Sequence, residues 1–225
     1  MNTDVLRQAP LFRGLDDEAA EALSAAMGER RIERGEVLFN EGDAGDRLYV
    51  VTEGKVKLGR SSADGRENLL AIQGPGQMFG ELSLFDPGPR SATVTAVTDC
   101  TLRSLSHDEL VHWLSGRPEV ARGLLSQLAA RLRKANDVVA DLVFSDVPGR
   151  VAKALLDLSA RFGRVADDGV HVHHDLTQEE LAQLVGASRE TVNKALADFA
   201  SRGWLRLEAR SVVIMDVERL KRRAR

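Results

Sequence analysis

Cysteine is almost absent: Cys100 is the only one among 225 residues. One thiol makes no internal disulfide, no CxxC pair and no four-cysteine iron–sulfur site, so a reducing cytoplasm is the expected compartment. No run approaches the roughly 18 apolar residues that a membrane span requires. The opening stretch MNTDVLRQAPLFRGLDDEAAEAL lacks the basic n-region and apolar core of a secretory signal. A large charge of one sign is missing too. The net charge of −3 argues against an indiscriminate nucleic-acid binder. Its distribution is uneven: residues 145–225 carry 14 basic against 12 acidic side chains, and the remainder 17 against 22. The basic excess, including the closing RLKRRAR, lies in the C-terminal part, although a solvated tail accounts for that run equally well.

What is present is the composition of a soluble globular protein, 43% hydrophobic and 29% charged, long enough for two domains. Residues 30–105 read as short strands between glycines: VLF (37–39), LYVV (48–51), KVKLG (55–59) and SATVTAV (91–97). Apolar and polar residues alternate there with turn signals every 8–12 residues, as in a β-sandwich or roll. Ser106 and Glu109 form a capping box where helix takes over. Next, Ala121, Leu125, Leu128, Leu132, Ala135, Val139 and Leu142 recur at spacings of 4 and 3. Such an a/d seam, flanked by Arg131, Arg133 and Lys134, marks a two-helix coiled coil and hence a homodimer. The plainer reading is an amphipathic helix lying on its own domain. Asp146 then caps a helix with Pro148 in its first turn, ending near Gly163. His171, His173 and His174 follow without the carboxylate or cysteine spacing that completes a metal site.

TQEELAQLVGASRETVNKAL (177–196) carries two helix caps, Thr177 and Ser188, around Gly186. Small Ala182 allows close crossing, Gly186 takes the positive-φ turn, and Val192 and Ala195 pin the second helix to the first. This is helix-turn-helix spacing, against the alternative of a helical hairpin with no DNA role. Arg189, Glu190, Thr191, Asn193 and Lys194 lie at the start of the second helix. There Arg or Lys donates to guanine and Glu accepts from cytosine, while Thr177 and Ser188 at helix N-termini suit phosphates. LRLEARSVVI (205–214) reads as a two-stranded wing with Ala209 at a turn that glycine would make more easily.

One stretch stands apart. GELSLFDPGPRSA (80–92) places Gly80 and Glu81 at the end of an apolar run, with Arg90-Ser91 beyond a proline-rich turn. By themselves these residues fit a Glu81–Arg90 structural salt bridge at least as well as a ligand site.

The order of strands, seam helix and helix-turn-helix, with GELSLFDPGPRSA, DVPGR and VGASRETV, resembles the cyclic-AMP receptor protein (CRP/FNR) family of bacterial transcription regulators over nearly the whole chain. The resemblance implies an α+β architecture. Residues 1–116 would form a cyclic-nucleotide-binding β-roll with jelly-roll-like strands, 117–145 a dimerisation helix and hinge, and 146–225 a winged helix-turn-helix domain. It implies a phosphate-binding cassette at Gly80, Glu81, Leu82, Ser83, Arg90 and Ser91. Glu81 would take a ribose hydroxyl; Arg90 and Ser91 would take the cyclic phosphate. The adenine is met in the family's cyclic-AMP receptors by a Thr-Ser pair on the dimer helix. Here those positions are Ala135-Asn136, leaving Asn136 as the one polar side chain for a base. Lys194 stands where the type member has arginine and reaches guanine without a bidentate fork.

The implied protein is a homodimeric regulator with cyclic AMP as effector, a near-palindromic TGTGA-like operator in double-stranded DNA, and RNA polymerase as a further partner. No membrane association, metal, haem or iron–sulfur cluster is expected, since residues 30–105 contain no histidine. A constitutive DNA-binding regulator, whose roll binds another effector or none, is the alternative. An enzyme is not expected, because Glu81 and Arg90 suffice for binding a nucleotide but not for hydrolysing it.

Overall fold

The structure is a computed structural model that describes residues 3–62, 67–82, 88–115 and 117–224, with side chains from Val5 onward. Ser83, one of the expected cassette residues, lies outside the described residues. Residues up to 133 group into one compact unit, apart from 67–69, which group with 134–224 in a second.

The first unit opens with α1 (Thr3–Gln8), a 3-10 turn (Pro10–Phe12) and α2 (Asp17–Ala26). Eight strands follow: β1 (Gly28–Ile32), β2 (Val37–Phe39), β3 (Arg47–Glu53), β4 (Val56–Ser61), β5 (Glu67–Gln73), β6 (Met78–Phe79), β7 (Thr93–Ala96) and β8 (Cys100–Ser106). They form two four-stranded sheets, β1-β8-β3-β6 and β2-β7-β4-β5. All four sequence-read strands are present, at slightly different bounds. Ser106 and Glu109 close both halves of the capping box on α3 (His107–Leu114).

Period-two alternation builds two cores from the first sheet. Val51, Phe79, Cys100 and Leu102 turn toward Val56, Val94 and Ala96 of the second sheet, making the interior of the roll. Leu48, Val50, Met78 and Leu105 face the other way, onto Leu6, Leu11, Leu23, Leu110 and Trp113 of the helices.

Helix α4 (Pro118–Phe144) is 27 residues long. It meets that helical layer through Val120 and Leu124, both buried, and not through the heptad seam. Leu125, Leu132 and Val139 are 64%, 65% and 62% exposed, so the seam is a separate stripe left open along α4. The reading in which the seam lies on its own domain is therefore set aside.

In the second unit, Asp146 caps α5 (Val147–Phe162), which has Pro148 in its first turn. The strands β9 (Gly163–Ala166) and β10 (Gly169–His173), helices α6 (Gln178–Val185) and α7 (Arg189–Ser201), strands β11 (Leu205–Glu208) and β12 (Ser211–Ile214), and α8 (Val217–Arg223) follow. The expected two-stranded wing is half of a larger sheet, β11-β12-β10-β9. The reason is that β12 is buried along its whole length and takes β10 as a second partner. Its turn also differs in detail: the left-handed residue is Arg210 (φ 58°), next to Ala209.

Burial along α4 makes a sharp expectation. Leu124→Ala removes a fully packed side chain and should cost about 2–5 kcal/mol of stability in urea denaturation. Leu125→Ala, one residue further on, truncates a side chain that is 64% exposed and should cost far less.

Candidate functional sites

The first site is set by the loop between β6 and β7. At its start Gly80 has φ +81°, and a Cβ there would fall 2.9 Å from Arg90 Nη1. A bare backbone is required for both reasons. At its far side the backbone is pinned: Arg90 N–H donates to Asp43 O at 2.8 Å, and Gly42 N–H donates to Arg90 O at 2.9 Å.

The Arg90 side chain runs back to Gly80, 4% exposed. Its Nη1 donates to Gly80 O at 3.0 Å, and its guanidinium carbon lies 4.2 Å from the Phe39 ring centroid. Phe39, Tyr49 and Phe79 cluster around it, with Tyr49 stacked on Phe79 at 5.5 Å. Among the described residues the nearest carboxylate is Asp46, at 4.0 Å, and Nε is buried with no partner. Burial pulls the Arg90 pKa below its ordinary value, and burial pushes the Tyr49 hydroxyl up.

Glu81 is 0% exposed. Its Oε1 accepts from Arg131 Nη1 of α4, and Arg131 Nη2 donates to Met78 O. Its Oε2 is buried and has no partner among the described residues. Glu81 thus pairs with Arg131 and not with Arg90, contrary to the simple salt-bridge reading. A shallow concavity of about 40 Å³, open to solvent, is lined by Phe39, Phe79, Gly80, Leu82, Arg90, Ser91 and Arg131, among others. Leu82 and Ser91 are exposed at its rim. Ala135 and Asn136 are exposed on α4, within the second unit.

The donor set fits an anion that also bears a hydroxyl. A buried cation without a close counter-ion suits phosphate oxygens, and a buried carboxylate with one free oxygen suits a hydroxyl donor. Arg131 and the aromatic cluster went unread as site residues in the sequence. Arg131 had been read as a flank of the seam, and nothing local marks a partner 50 residues away.

The second site lies on α6 and α7. Thr177 accepts from Glu180 N–H, whose side chain returns the bond in a full capping box. Gly186 takes φ +69°, the left-handed turn its position requires. Ser188 caps α7 by accepting from Thr191 N–H, and the two hydroxyls lie 2.8 Å apart. Val192, Ala195, Leu196 and Phe199 of α7 are buried, which leaves Arg189, Glu190, Thr191 and Lys194 exposed. Lys194 pairs with Glu190 at 2.7 Å. Asn193 is half-buried and donates through Nδ2 to Gln178 Oε1 at 3.1 Å.

Arg150 ties the base of this motif together. It donates to Val185 O and Gly186 O at the turn and to Ser145 O before α5. The three-histidine segment holds an ion pair instead. His171 meets Asp168 at 2.6 Å, and Arg206 meets the same carboxylate, which is held down to about 2 by those two bonds. That carboxylate, three residues before His171, was passed over in the sequence.

A β-roll with an anion-ready loop joined to a helix-turn-helix defines the class: a cyclic-nucleotide-responsive transcription regulator. Residues 29–116 match the family model of the cyclic nucleotide-binding domain, and residues 149–223 match that of the Crp-like helix-turn-helix domain. The chain is 56% identical, over 99% of both chains, to a CRP-like cAMP-activated global transcriptional regulator of Mycobacterium tuberculosis. It is 37% identical to the cyclic AMP receptor protein of Thermus thermophilus, over 96% of this chain and 97% of that one. Among solved structures, the c-di-GMP-responsive global regulator CLP of Xanthomonas campestris superposes with a TM-score of 0.76 at 28% identity, covering 88% of this chain and 99% of that one. The chain belongs to the CRP/FNR family of transcription regulators. Its domains and relatives are those of regulators, not enzymes. Among the described residues no helix is long and apolar enough to cross a membrane.

Geometry at the loop predicts the effect of Gly80→Ala. A side chain at φ +81° costs about 1–2 kcal/mol in strain, and the Cβ must also displace the Arg90 guanidinium. The variant should unfold at correspondingly lower urea, whereas Gly42→Ala, whose Cβ would meet nothing within 4 Å, should pay for its backbone alone.

Proposed function

We propose that the chain is a cytoplasmic, homodimeric regulator whose effector is cyclic AMP and whose target is a near-palindromic TGTGA-like operator in double-stranded DNA. The observation that carries the effector reading is Arg90, a buried guanidinium with no carboxylate closer than Asp46 at 4.0 Å among the described residues, set over Gly80 and beside the half-used Glu81. Arg90 and Ser91 would hold the cyclic phosphate, Gly80 the close approach of the backbone, and Glu81 a ribose hydroxyl. Leu82 and Ser83 complete the loop, and Asn136 would meet the base. The M. tuberculosis and T. thermophilus relatives, whose names carry cyclic AMP, support that choice of nucleotide.

Residues 1–116 act here as the sensor, 117–145 as dimerisation helix and hinge, and 146–225 as the DNA-binding part. The open stripe of Leu125, Leu132 and Val139 supports self-association through α4, since an apolar seam of that length is stable only when covered. Effector binding acts by its differential affinity for two arrangements of the dimer. In the competent one, two α7 helices enter major grooves about 34 Å apart. Arg189, Glu190 and Lys194 then face base edges; Thr177, Ser188 and Thr191 face phosphates; and Asn193 belongs to the same surface. RNA polymerase is the further partner such a regulator addresses.

A second reading has an observation of its own. Ala135 offers no hydrogen bond to a base, and a relative of the same fold answers to cyclic di-GMP. A regulator that binds DNA without cyclic AMP would fit both facts.

Calorimetric titration with cyclic AMP, alongside cyclic GMP, separates the two. Saturable heat from cyclic AMP, lost in Arg90→Ala, is expected from a sample that sediments as a dimer; no heat from either nucleotide favours the second reading. On the operator, Arg189→Ala should cost about 1–3 kcal/mol and flatten discrimination at one base pair. An equal loss on random DNA would make Arg189 a phosphate contact instead.

A further inference from the structure

Asn193 sits one turn beyond Arg189, on the face of α7 that the sequence assigns to base reading, yet its amide is not available for that work. Reading adenine through an asparagine uses both amide atoms at once, Oδ1 and Nδ2. Here Nδ2 is spent on Gln178 Oε1 at 3.1 Å, and Oδ1 is buried with no partner among the described residues. An unpartnered buried acceptor is a cost to the fold, not a gain. The amide is therefore engaged within the protein and not set to read a base.

Its partner shows to what end. Gln178 is the first residue of α6, directly after the Thr177 cap. At its other end α6 is already tied to α7 by the Gly186 turn, and both helices bury apolar residues and pack on α5, Leu181, Ala182 and Val185 from α6 and Val192, Ala195 and Leu196 from α7. Apolar packing is non-directional, so it defines the crossing angle of two short helices less sharply than a directional bond does. The Asn193–Gln178 bond supplies a second tie, at the open end. Exchanging oxygen and nitrogen in both amides preserves the tie, so it does not depend on how either amide is oriented.

We propose that Asn193 and Gln178 form a strut that fixes the angle at which α7 leaves α6, making Asn193 a positioning residue for operator reading and not a base contact. The proposal rests on the DNA-reading assignment of α7. Misplacing a recognition helix by an ångström disturbs every base contact together, whereas losing one reader disturbs a single base pair.

The test is anisotropy titration of the full-length protein, with cyclic AMP present, on three kinds of duplex: one with two TGTGA half-sites, a panel of single-base variants, and a random sequence. Asn193→Ala and Gln178→Ala should each weaken operator binding about 5–10-fold, with the loss shared across all half-site positions. The double variant should be no worse than either single, as for two residues acting through one bond. The reciprocal swap Asn193→Gln with Gln178→Asn keeps the combined side-chain length and should recover most of the affinity. Binding to random DNA should be unchanged.

A loss confined to one base pair in Asn193→Ala, with Gln178→Ala neutral, would overturn the strut and make Asn193 a reader. Multiplying losses in the double variant, or lowered melting temperatures with unchanged operator affinity, would overturn it as well. Wild-type protein that binds operator and random duplex alike would overturn the DNA-reading assignment and the strut with it.

Discussion

Arg90 takes a guanidinium out of water with Asp46, at 4.0 Å, as its nearest carboxylate among the described residues, and the parts around it follow from that. Burying a charge is tolerated only where dipoles, rings or an opposite charge replace the lost water. Arg90 has a carbonyl from Gly80 and the face of Phe39, but only a distant Asp46. Gly80 has to be glycine so that the carbonyl can come that close. The aromatic residues of β2, β3 and β6 converge because the face of a ring is the apolar surface that a cation pays least to touch. What remains, among the described residues, is a charge only partly met, a deficit of the kind that suits an anion.

Glu81 has the complementary deficit. It is more deeply buried than Arg90, yet Arg131 satisfies one oxygen and leaves the other bare. Had Glu81 and Arg90 paired with each other, as a loop-local reading suggests, both deficits would vanish and the concavity would have nothing to offer a ligand. Spending Arg131 on Glu81 keeps the two charges apart. Because Arg131 stands on α4, it also gives the pocket a wall made of the helix whose exposed stripe is set for a partner. The β-roll and α4 are thus joined by a charge-assisted pair.

Features governed by short-range rules were legible in the sequence. The capping boxes at Ser106 and Thr177, the Asp146 cap, the Gly186 turn and the strands around Leu48 and Val56 each depend on residues within four positions of one another. The α4 seam was legible for the same reason: a repeat of 3 and 4 is local even when its consequence is not. Long-range pairings were not legible. Arg131 reaches Glu81 across 50 residues, and β10 pairs with β12 across about 40, so the wing became a four-stranded sheet. The wing turn failed on a finer point, since Ala209 and Arg210 are neighbours and only one of them takes the left-handed conformation.

Charge in the second unit shows how little of it is free. Within the closing basic run Arg219 pairs with Asp216, Lys221 with Glu218, and Arg223 with Asp146 at 2.6 Å. The last of these anchors α8 on the very carboxylate that caps α5. A stretch that reads as cationic is in large part neutralised by its own neighbours, which is why the plain reading of a solvated tail and a nucleic-acid reading both miss it. On α7 the same economy holds: Lys194 is engaged by Glu190, and Asn193 by Gln178. Arg189 stands exposed with no ion pair among the described residues. The exposed Lys194–Glu190 pair is weak and leaves both side chains able to turn to another partner. Where α7 is held then decides which partners they reach, so the ties at both ends of α6 matter alongside the side chains that α7 presents.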